Sequence, residues 1–532
     1  MGPAEPAAAP GDLADRITVY LREHPSAALL ESGAQLFDFR TARYSVGESH
    51  GRCLFQVWSD ERNLVRTVLD VEPRAHSLRI VTRVMGQTRP QALELIPSTE
   101  RRSPGTRDAG RSHYKRLLER VLTRTFPHAK IEALRTAMDL EHSFGPAYIR
   151  GRLVTGSAVD AVIGVSQAES SSTIDGILTL GLLWLDYCRT RADVRRHVGG
   201  LMLVVPAGSA RTTSERLAWL NPKTAAFRLY TLDERTEELV PVELHDTGNL
   251  DVHLTHAFSA QSALDRCRSG IDRFLALVPP EHRDQVELRP RSSTEVGLLL
   301  HGLEFARVRH LATSHSFAAR DELTFGAGPS ETPLNLENDS LCRELFARLF
   351  AARHPAGLHA DPLFRMQPER WLESRLRAHV ADLLPSLLPE PIYAQVPAIA
   401  SGDRGMLDLL ALDRAGRLVV LEIKASEDLH LPLQALDYWI RVRALNADRQ
   451  PVAPGAQPVS AFERSGYFSG ASIASQPPRL LLAAPALRLH PANQTVLRFF
   501  APEIEWELLA LSEHWRRELR ILHRKRSSDP RV

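Results

Sequence analysis

The chain has 532 residues, room for roughly three or four domains of ordinary size. Hydrophobic residues make up 43% and charged residues 24%, which excludes a disordered or fibrous chain and suits a globular one. The net charge of +2 excludes a uniformly basic surface, so any nucleic-acid track must be local. The four cysteines, Cys53, Cys188, Cys267 and Cys342, lie far apart without a CxxC, so neither a disulfide framework nor a zinc knuckle is expected. The Pro/Ala-rich start, Met1 to Gly11, lacks the apolar core of a signal peptide, and no run is long enough to span a bilayer. The expectation is a cytoplasmic protein without a membrane partner.

Residues 1–102 read as a β-rich N-terminal domain, with a helix Leu13–Glu23 and strands near Arg52–Trp58, Val65–Val71 and Ser77–Met85. It shows no catalytic constellation; a role in DNA contact or dimerisation and a plain structural cap both remain open. Residues 103–112 read as a linker. From 111 to 245 come a helix Tyr114–Phe126, a strand-like run Ala158–Ser166, a helix Ile177–Arg189 and an apolar run ending in Pro206-Ala207. Each has a later counterpart. Leu-Leu-Glu119-Arg matches Trp-Leu-Glu373-Ser, and the tryptophan helices match at Trp184 and Trp439. The offsets agree, 373 − 119 = 254 and 439 − 184 = 255, which predicts an internal duplication.

Residues 246–345 read as a connector with a helix Ala257–Leu277 and strands at Val286–Leu288, Glu295–Leu303 and Glu322–Phe325. The glycine-rich string at 325–330 lacks a following Lys-Ser/Thr, so it is a turn rather than a phosphate-binding loop. A helix Ser340–Ala352 opens the last domain, 346–532. There the pattern predicts a helix Trp371–Leu384, a strand Tyr393–Val396, two strands flanking Asp413–Arg417, a helix Pro432–Leu445, a buried strand Leu480–Ala484 and closing elements at Glu505–Leu511. Residues 446–478 carry Arg464, Tyr467 and Phe468 in a Pro/Ser/Gly-rich stretch, read as an insertion without fixed structure or as a surface for stacking nucleic-acid bases. The Arg/His-rich tail 516–526 reads as a solvated helix end.

The informative stretch is Met406 to Arg443. Gly416 suits the left-handed position of a three-residue hairpin loop, a type I turn closed by a bulge. If Arg414, Ala415 and Gly416 form that loop, Asp413 pairs with Arg417 and paired numbers sum to 830, which sets Asp408 opposite Glu422. Strand alternation puts Lys424 on the same face and Val419, Leu421 and Ile423 on the other. Such a cluster is costly to bury unless the charges pair or hold a metal. Of the 66 basic residues only five are lysine (Lys115, Lys130, Lys223, Lys424, Lys525), leaving 66 − 5 = 61 arginines. A chain that uses arginine nearly everywhere places a compact ammonium at Lys424, where a wide guanidinium would approach a water or phosphate oxygen differently.

This pattern resembles the PD-(D/E)xK nuclease superfamily. Asp408, Glu422 and Lys424 match its three motif positions, Glu373 its common helical acid, and Gln434 a polar position of several branches; Leu407 stands where the name-giving proline would be. The resemblance implies an α/β fold, a mixed sheet flanked by helices with a restriction-endonuclease-like core, beside small β-rich N-terminal and connector domains. It implies a Mg²⁺- (or Mn²⁺-) dependent endonuclease hydrolysing DNA in repair or defence. Asp408, Glu422, Glu373 and the Ile423 carbonyl would be metal ligands, Lys424 would orient or deprotonate the water or stabilise the transition state, and Gln434 would position water or phosphate. In the 111–245 copy the Glu-x-Lys positions fall on Gly164 and Ser166, so that copy is expected to be catalytically empty. A homodimer would supply the two sites that double-strand cleavage needs. The alternatives are a ligand-gated nuclease or RNase with residues 1–345 as sensor, and a non-catalytic nucleic-acid-binding scaffold.

Overall fold

The structure, a computed structural model, describes residues 10–31, 34–40, 42–49, 51–58, 63–74, 77–83, 90–97, 104–137, 139, 143–190, 196–244, 252–311, 320–327, 331–400 and 403–529. The chain is mixed α/β and forms two compact units, residues 1–213 with 227–242, and residues 214–226 with 243–532. Among the described residues, no helix is long and apolar enough to cross a membrane.

The first unit holds two sheets. Residues 28–96 form seven strands, more than the three that the sequence suggested, in an all-antiparallel sheet whose last five strands follow in chain order while the first strand pairs with the last, with the helix Pro10–Glu23 on one face. Leu13, Ile17 and Leu21 recur at helical spacing and bury against Phe55, Val57, Ile80 and Leu95. The expected strand at 77–85 is Leu78–Arg83; Val84 and Met85 lie outside the described residues. The expected linker is helical from Pro104, the start of Pro104–Thr125, and Ser103 lies outside the described residues. The second sheet has six strands in chain order: Lys130–Arg135, Tyr148–Thr155, Ala158–Val165, Val198–Pro206, Ala226–Asp233 and Glu238–Val242. Its third and fourth strands are parallel, joined through the helix Ile177–Thr190.

The second unit carries a seven-stranded sheet in the order Val252–Leu254, Tyr393–Ala400, Asp403–Leu412, Leu418–Ile423, Arg479–Pro485, Trp506–Leu511, Ile521–Arg526. After its short first strand the succession repeats that of the six-stranded sheet. An antiparallel hairpin leads to a parallel pair, Leu418–Ile423 with Arg479–Pro485, joined through the helix Leu431–Ala447, and an antiparallel pair closes the sheet. Trp439 donates from Nε1 to the Pro478 carbonyl at 2.7 Å, and Trp184 to the Gly151 carbonyl at 2.8 Å, so each bridging helix is pinned to its own sheet by a buried indole. The tail expected as a helix end is instead the edge strand Ile521–Arg526.

The connector departs from expectation in two places. The predicted helix 257–277 is two helices, Ala260–Arg266 and Arg268–Leu277, broken at Cys267. The predicted strand Glu295–Leu303 is a hairpin, Glu295–Leu300 with Leu303–Leu311, turning at His301 (φ +47°) and Gly302 (φ +76°). Phe274, Phe305 and Phe346 knit one face of this five-stranded sheet to its helices. No seam separates it from the following helices. Arg353, fully buried, donates to the carbonyls of Leu300 (3.0 Å), His301 (2.8 Å), Leu363 (3.0 Å) and Met366 (2.6 Å) and lies over the Trp371 ring.

The stretch 446–478 is ordered by its own side chains. Ser460 and Glu463 form a capping box on Ala461–Arg464, Arg464 pairs with Asp448, and Tyr467 and Phe468 are buried beside Tyr393. Both rings are therefore core, not stacking platforms for bases.

The hairpin loop that fixes the central register depends on Gly416, which has φ +79° and whose added Cβ would stand 2.5 Å from the Ser472 carbonyl oxygen. Gly416→Ala should destabilise the second unit by about 2 kcal/mol, from left-handed strain plus displacement of that carbonyl. Urea unfolding followed by tryptophan fluorescence measures it; an unchanged midpoint would show that the loop does not set the register.

Candidate active site

The turn creates the site. Asp413 N–H donates to the Arg417 carbonyl (2.9 Å), Gly416 N–H to the Asp413 carbonyl (2.9 Å), and the Asp413 side-chain Oδ1 accepts from the N–H groups of Ala415 and Arg417, both at 2.9 Å. From this anchor the ladder runs Leu412↔Leu418 to Leu409↔Leu421, each pair summing to 830. One step further, Asp408 stands opposite Glu422, and the backbone ladder stops. Asp408 Oδ2 takes the vacated place, accepting the Ile423 N–H at 2.9 Å. A carboxylate thus substitutes for a strand carbonyl and is held in the sheet plane.

Glu422 is 3% exposed, and its side chain meets that of Asp408. Its Oε2 has no hydrogen-bond partner among the described residues, while Oε1 lies 3.5 Å from Lys424 Nζ. Burial raises the Asp408 carboxyl to about 6, against the Ile423 hydrogen bond that lowers it and with Glu373 adding to the rise. Burial, then the Asp408 charge, raises Glu422 well above the ordinary carboxylate range. Burial alone would lower the Lys424 ammonium, but Glu422, Glu369, Asp428 and Asp408 together carry it above the ordinary lysine value. At neutral pH Lys424 is therefore a fixed cation. Lys424 Nζ also lies 3.8 Å from Asp428 Oδ2, and Lys424 N–H donates to the Ala483 carbonyl at 3.0 Å, which ties the site to the next strand.

Glu373, on the helix Pro368–Leu383, is 2% exposed and its two oxygens are taken up. Oε1 accepts from Arg289 Nη1 at 3.1 Å; Oε2 accepts from Arg370 Nη1 at 2.9 Å and from Gln395 Nε2 at 2.8 Å. The same Gln395 amide reaches to 3.5 Å from Asp408 Oδ1. Glu373 therefore communicates with the pair through an amide and is neutralised by two guanidiniums. The Ile423 side chain points into the apolar cluster with Val419, Leu421, Trp371 and Leu376, while its N–H serves Asp408. Gln434 sits in the first turn of Leu431–Ala447, half-buried, and among the described residues no hydrogen bond ties its amide to the carboxylates. His430 is the N-cap residue of that helix; burial lowers its imidazole. Tyr438, one turn after Gln434 on the same helix, is held protonated by burial and by the Glu422 and Asp408 charges.

Gln395 is the residue that the sequence pattern passed over. It adopts φ +57° inside the strand Tyr393–Ala400, is 8% exposed, and its Oε1 has no partner among the described residues. Neighbouring pairs Ala394↔Leu409 and Val396↔Leu407 sum to 803 and put 395 beside 408, a register that no turn signal in the sequence fixed. Its backbone strain gave no signal in the sequence. Arg289 gave no local signal either, lying 84 residues from Glu373.

The buried pair fits a hard divalent cation. Two carboxylates share one low-dielectric place, one oxygen of Glu422 is without a partner, and a proton or a cation must offset the second negative charge. Among the described residues no three His, Cys, Asp or Glu side chains converge as a ligand set, so the protein offers two carboxylates and leaves the remaining positions to water or substrate.

The 111–245 sheet carries no charged pair at the position that the spacing aligned with Glu422. Ile149 stands opposite Gly164, and a Cβ on Gly164 would meet Leu118 Cδ2 at 2.9 Å and Tyr114 Oη at 3.1 Å. Ser166 donates to Glu234 at 2.9 Å. Glu119, aligned above with Glu373, is exposed, and Leu118 takes the buried place. No protein-family model matches the chain, and no curated protein matches it in sequence.

Because both acids prefer the neutral form in the fold, their favourable contribution is complete at low pH and is lost as pH rises through the raised folded value, about 6 for Asp408. Glu422→Gln should therefore stabilise the metal-free second unit by about 1–3 kcal/mol near pH 8 and do little near pH 4. Lys424 opposes this by losing one partner, but keeps Asp428, Glu369 and Asp408. Thermal unfolding across that pH range in EDTA decides it; a variant less stable than wild type near pH 8 would contradict the account.

Proposed function

We propose that residues 346–532 form a PD-(D/E)xK-type nuclease domain with a restriction-endonuclease-like core, and that the protein is a divalent-cation-dependent endodeoxyribonuclease. The observation that carries this reading is the meeting of Asp408 and Glu422 on the hairpin, with the Lys424 ammonium 3.5 Å from Glu422 and one Glu422 oxygen unpartnered. An ordinary structural ion pair has no use for a second buried carboxylate beside the first.

Asp408 and Glu422 would hold Mg²⁺ or Mn²⁺, which when bound supplies a more acidic water and neutralises charge on the departing oxygen. The chain's own groups divide the remaining work. Lys424, a fixed cation, stabilises the negative charge that builds on the phosphoryl oxygens rather than taking a proton from water. The Ile423 N–H fixes the orientation of Asp408, and Gln395 holds its other oxygen while joining it to Glu373. The six-stranded sheet, with its matching strand succession and its apolar filling at Gly164, is a degenerate copy of the same fold whose role is packing or DNA holding. The matching succession supports duplication, while the empty copy accounts for a single candidate centre per chain.

Purified protein incubated with supercoiled plasmid should nick it with Mg²⁺ or Mn²⁺ and not with EDTA. Lys424→Ala should lower the rate by about 10²–10³-fold or more while DNA binding is kept. Single strands, branched duplex and RNA tested in parallel define the substrate. Cutting that survives in Lys424→Ala, or that proceeds in EDTA, would reject the reading.

A further inference from the structure

Residues 214–226 lie in sequence between the strands Val198–Pro206 and Ala226–Asp233 of the six-stranded sheet, yet they belong to the second unit. Their counterpart is the chain between Arg479–Pro485 and Trp506–Leu511. The two stretches repeat element for element at one offset. The helices are Arg211–Leu217 and Pro491–Leu497, the next strands start at Ala226 and Trp506, and 491 − 211 = 497 − 217 = 506 − 226 = 280. Pro222 and Pro502 keep the same offset. Within the second unit the stretches meet, and they meet at equal positions. Leu220 forms an antiparallel bridge with Phe500, and 500 − 220 = 280. Asn221 N–H donates to the Phe499 carbonyl at 2.8 Å, and Ala501 N–H to the Trp219 carbonyl at 2.9 Å. Replacing every residue by its counterpart turns either bond into the other.

An antiparallel bridge has a local two-fold axis through its centre. When the bridged residues are equivalent, that axis carries one segment onto the other, which is the mark of an isologous contact. Packing inside a single fold has no reason to pair equal positions. The contact is also filled: Leu217, Leu220, Leu497, Phe499 and Phe500 are buried, and Trp219 packs edge-on against Trp439 with ring centres 5.0 Å apart. One element breaks the likeness. Arg216 grips Asp437 as a fork, Nε to Oδ1 at 2.8 Å and Nη2 to Oδ2 at 2.7 Å. The counterpart positions (216 + 280 = 496 and 437 − 255 = 182) carry Val496 and Leu182, both apolar and fully buried. Were the second copies of two chains to pair with each other, each Asp437 would face Val496 instead of Arg216 and lose its partner. The ion pair therefore selects the chain's own segment over that of another chain.

We infer that residues 214–221 and 494–501 are the two halves of an isologous interface that one chain supplies to itself, so that the protein is a monomer whose single centre cuts one strand of a duplex per encounter. The surface that a second chain would use is occupied, and Gly164 stands where the other copy would need its acid. This replaces the homodimer expected for double-strand cleavage. The strand-cutting clause rests on the nuclease reading; the self-supplied interface rests on the duplication alone.

Sedimentation of the full chain from nanomolar to micromolar concentration, in EDTA and with or without a duplex oligonucleotide, should give the mass of one chain throughout. With Mg²⁺, supercoiled plasmid should pass to open circle before linear product appears, at a rate proportional to protein concentration. Arg216→Val should lower the urea midpoint of the second unit by roughly 0.5–1 M, since it leaves Asp437 unpaired. Adding Asp437→Leu should recover most of that loss, because Val and Leu are the pair at the counterpart positions. Self-association in this range overturns the proposal, as does linear product that forms together with open circle and rises with the square of protein concentration, or a double variant less stable than the single one. If Arg216→Val fails to fold, the mass and the order of products from the unaltered chain still decide. A monomer that never nicks DNA rejects the nuclease reading, and the strand-cutting with it, and leaves the self-supplied interface standing.

Discussion

Two carboxylates held side by side, Glu422 buried and Asp408 half-buried, are the constraint around which the second unit is arranged. Burial raises both, Asp408 to about 6 and Glu422 well above the ordinary carboxylate range, with the Asp408 charge adding to the rise of Glu422. The fold nevertheless keeps them together. Asp413 and Gly416 set the hairpin register, the interrupted ladder gives Asp408 a backbone N–H to accept, and strand alternation brings Lys424 to the same side. A sequence under pressure for stability alone would have filled this position with apolar side chains. In the six-stranded sheet the residue aligned by spacing, Gly164, has its space closed by Leu118 and Tyr114. Retaining the acids therefore carries a stability cost that function must justify.

The surroundings show how that cost is contained. Glu373 would add a third negative charge, yet Arg289 and Arg370 neutralise it, and Gln395 spaces it from Asp408 by one amide. The arginines reach in from the connector sheet and from the first turn of the helix itself, which explains why the connector packs into the same unit as the final sheet. Arg353 makes the same joint from the other side, giving up its solvation to satisfy four carbonyls at once.

The parts of the fold governed by short-range rules were legible in the sequence. Gly416 demanded one loop type, that loop fixed the register, and the register placed Asp408, Glu422 and Lys424 without knowledge of the rest. The helix bearing Glu373 and the parallel strand at 480–484 followed from apolar runs of the right length. What escaped depended on distant partners. The Gly302 turn was hidden in a continuous apolar run, since Leu300 and Leu303 are both core. Tyr467 and Phe468 looked solvent-facing amid Pro, Ser and Gly, but Tyr393, 75 residues away, buries them. The strain at Gln395 comes from what it touches, not from its neighbours in sequence. Glu119 matched Glu373 by spacing and missed by one position, because the buried stripe of that helix runs through Leu117 and Leu118.

The claim beneath all of this is that a proton and a divalent cation compete for the Asp408–Glu422 pair. Titrating Mn²⁺ into the protein near pH 7 in buffers of different ionisation enthalpy counts the protons released on binding. The account predicts one saturable site per chain that expels about one proton, because the raised carboxyls must ionise to take the metal. Absence of saturable binding, or binding without proton release, would contradict it.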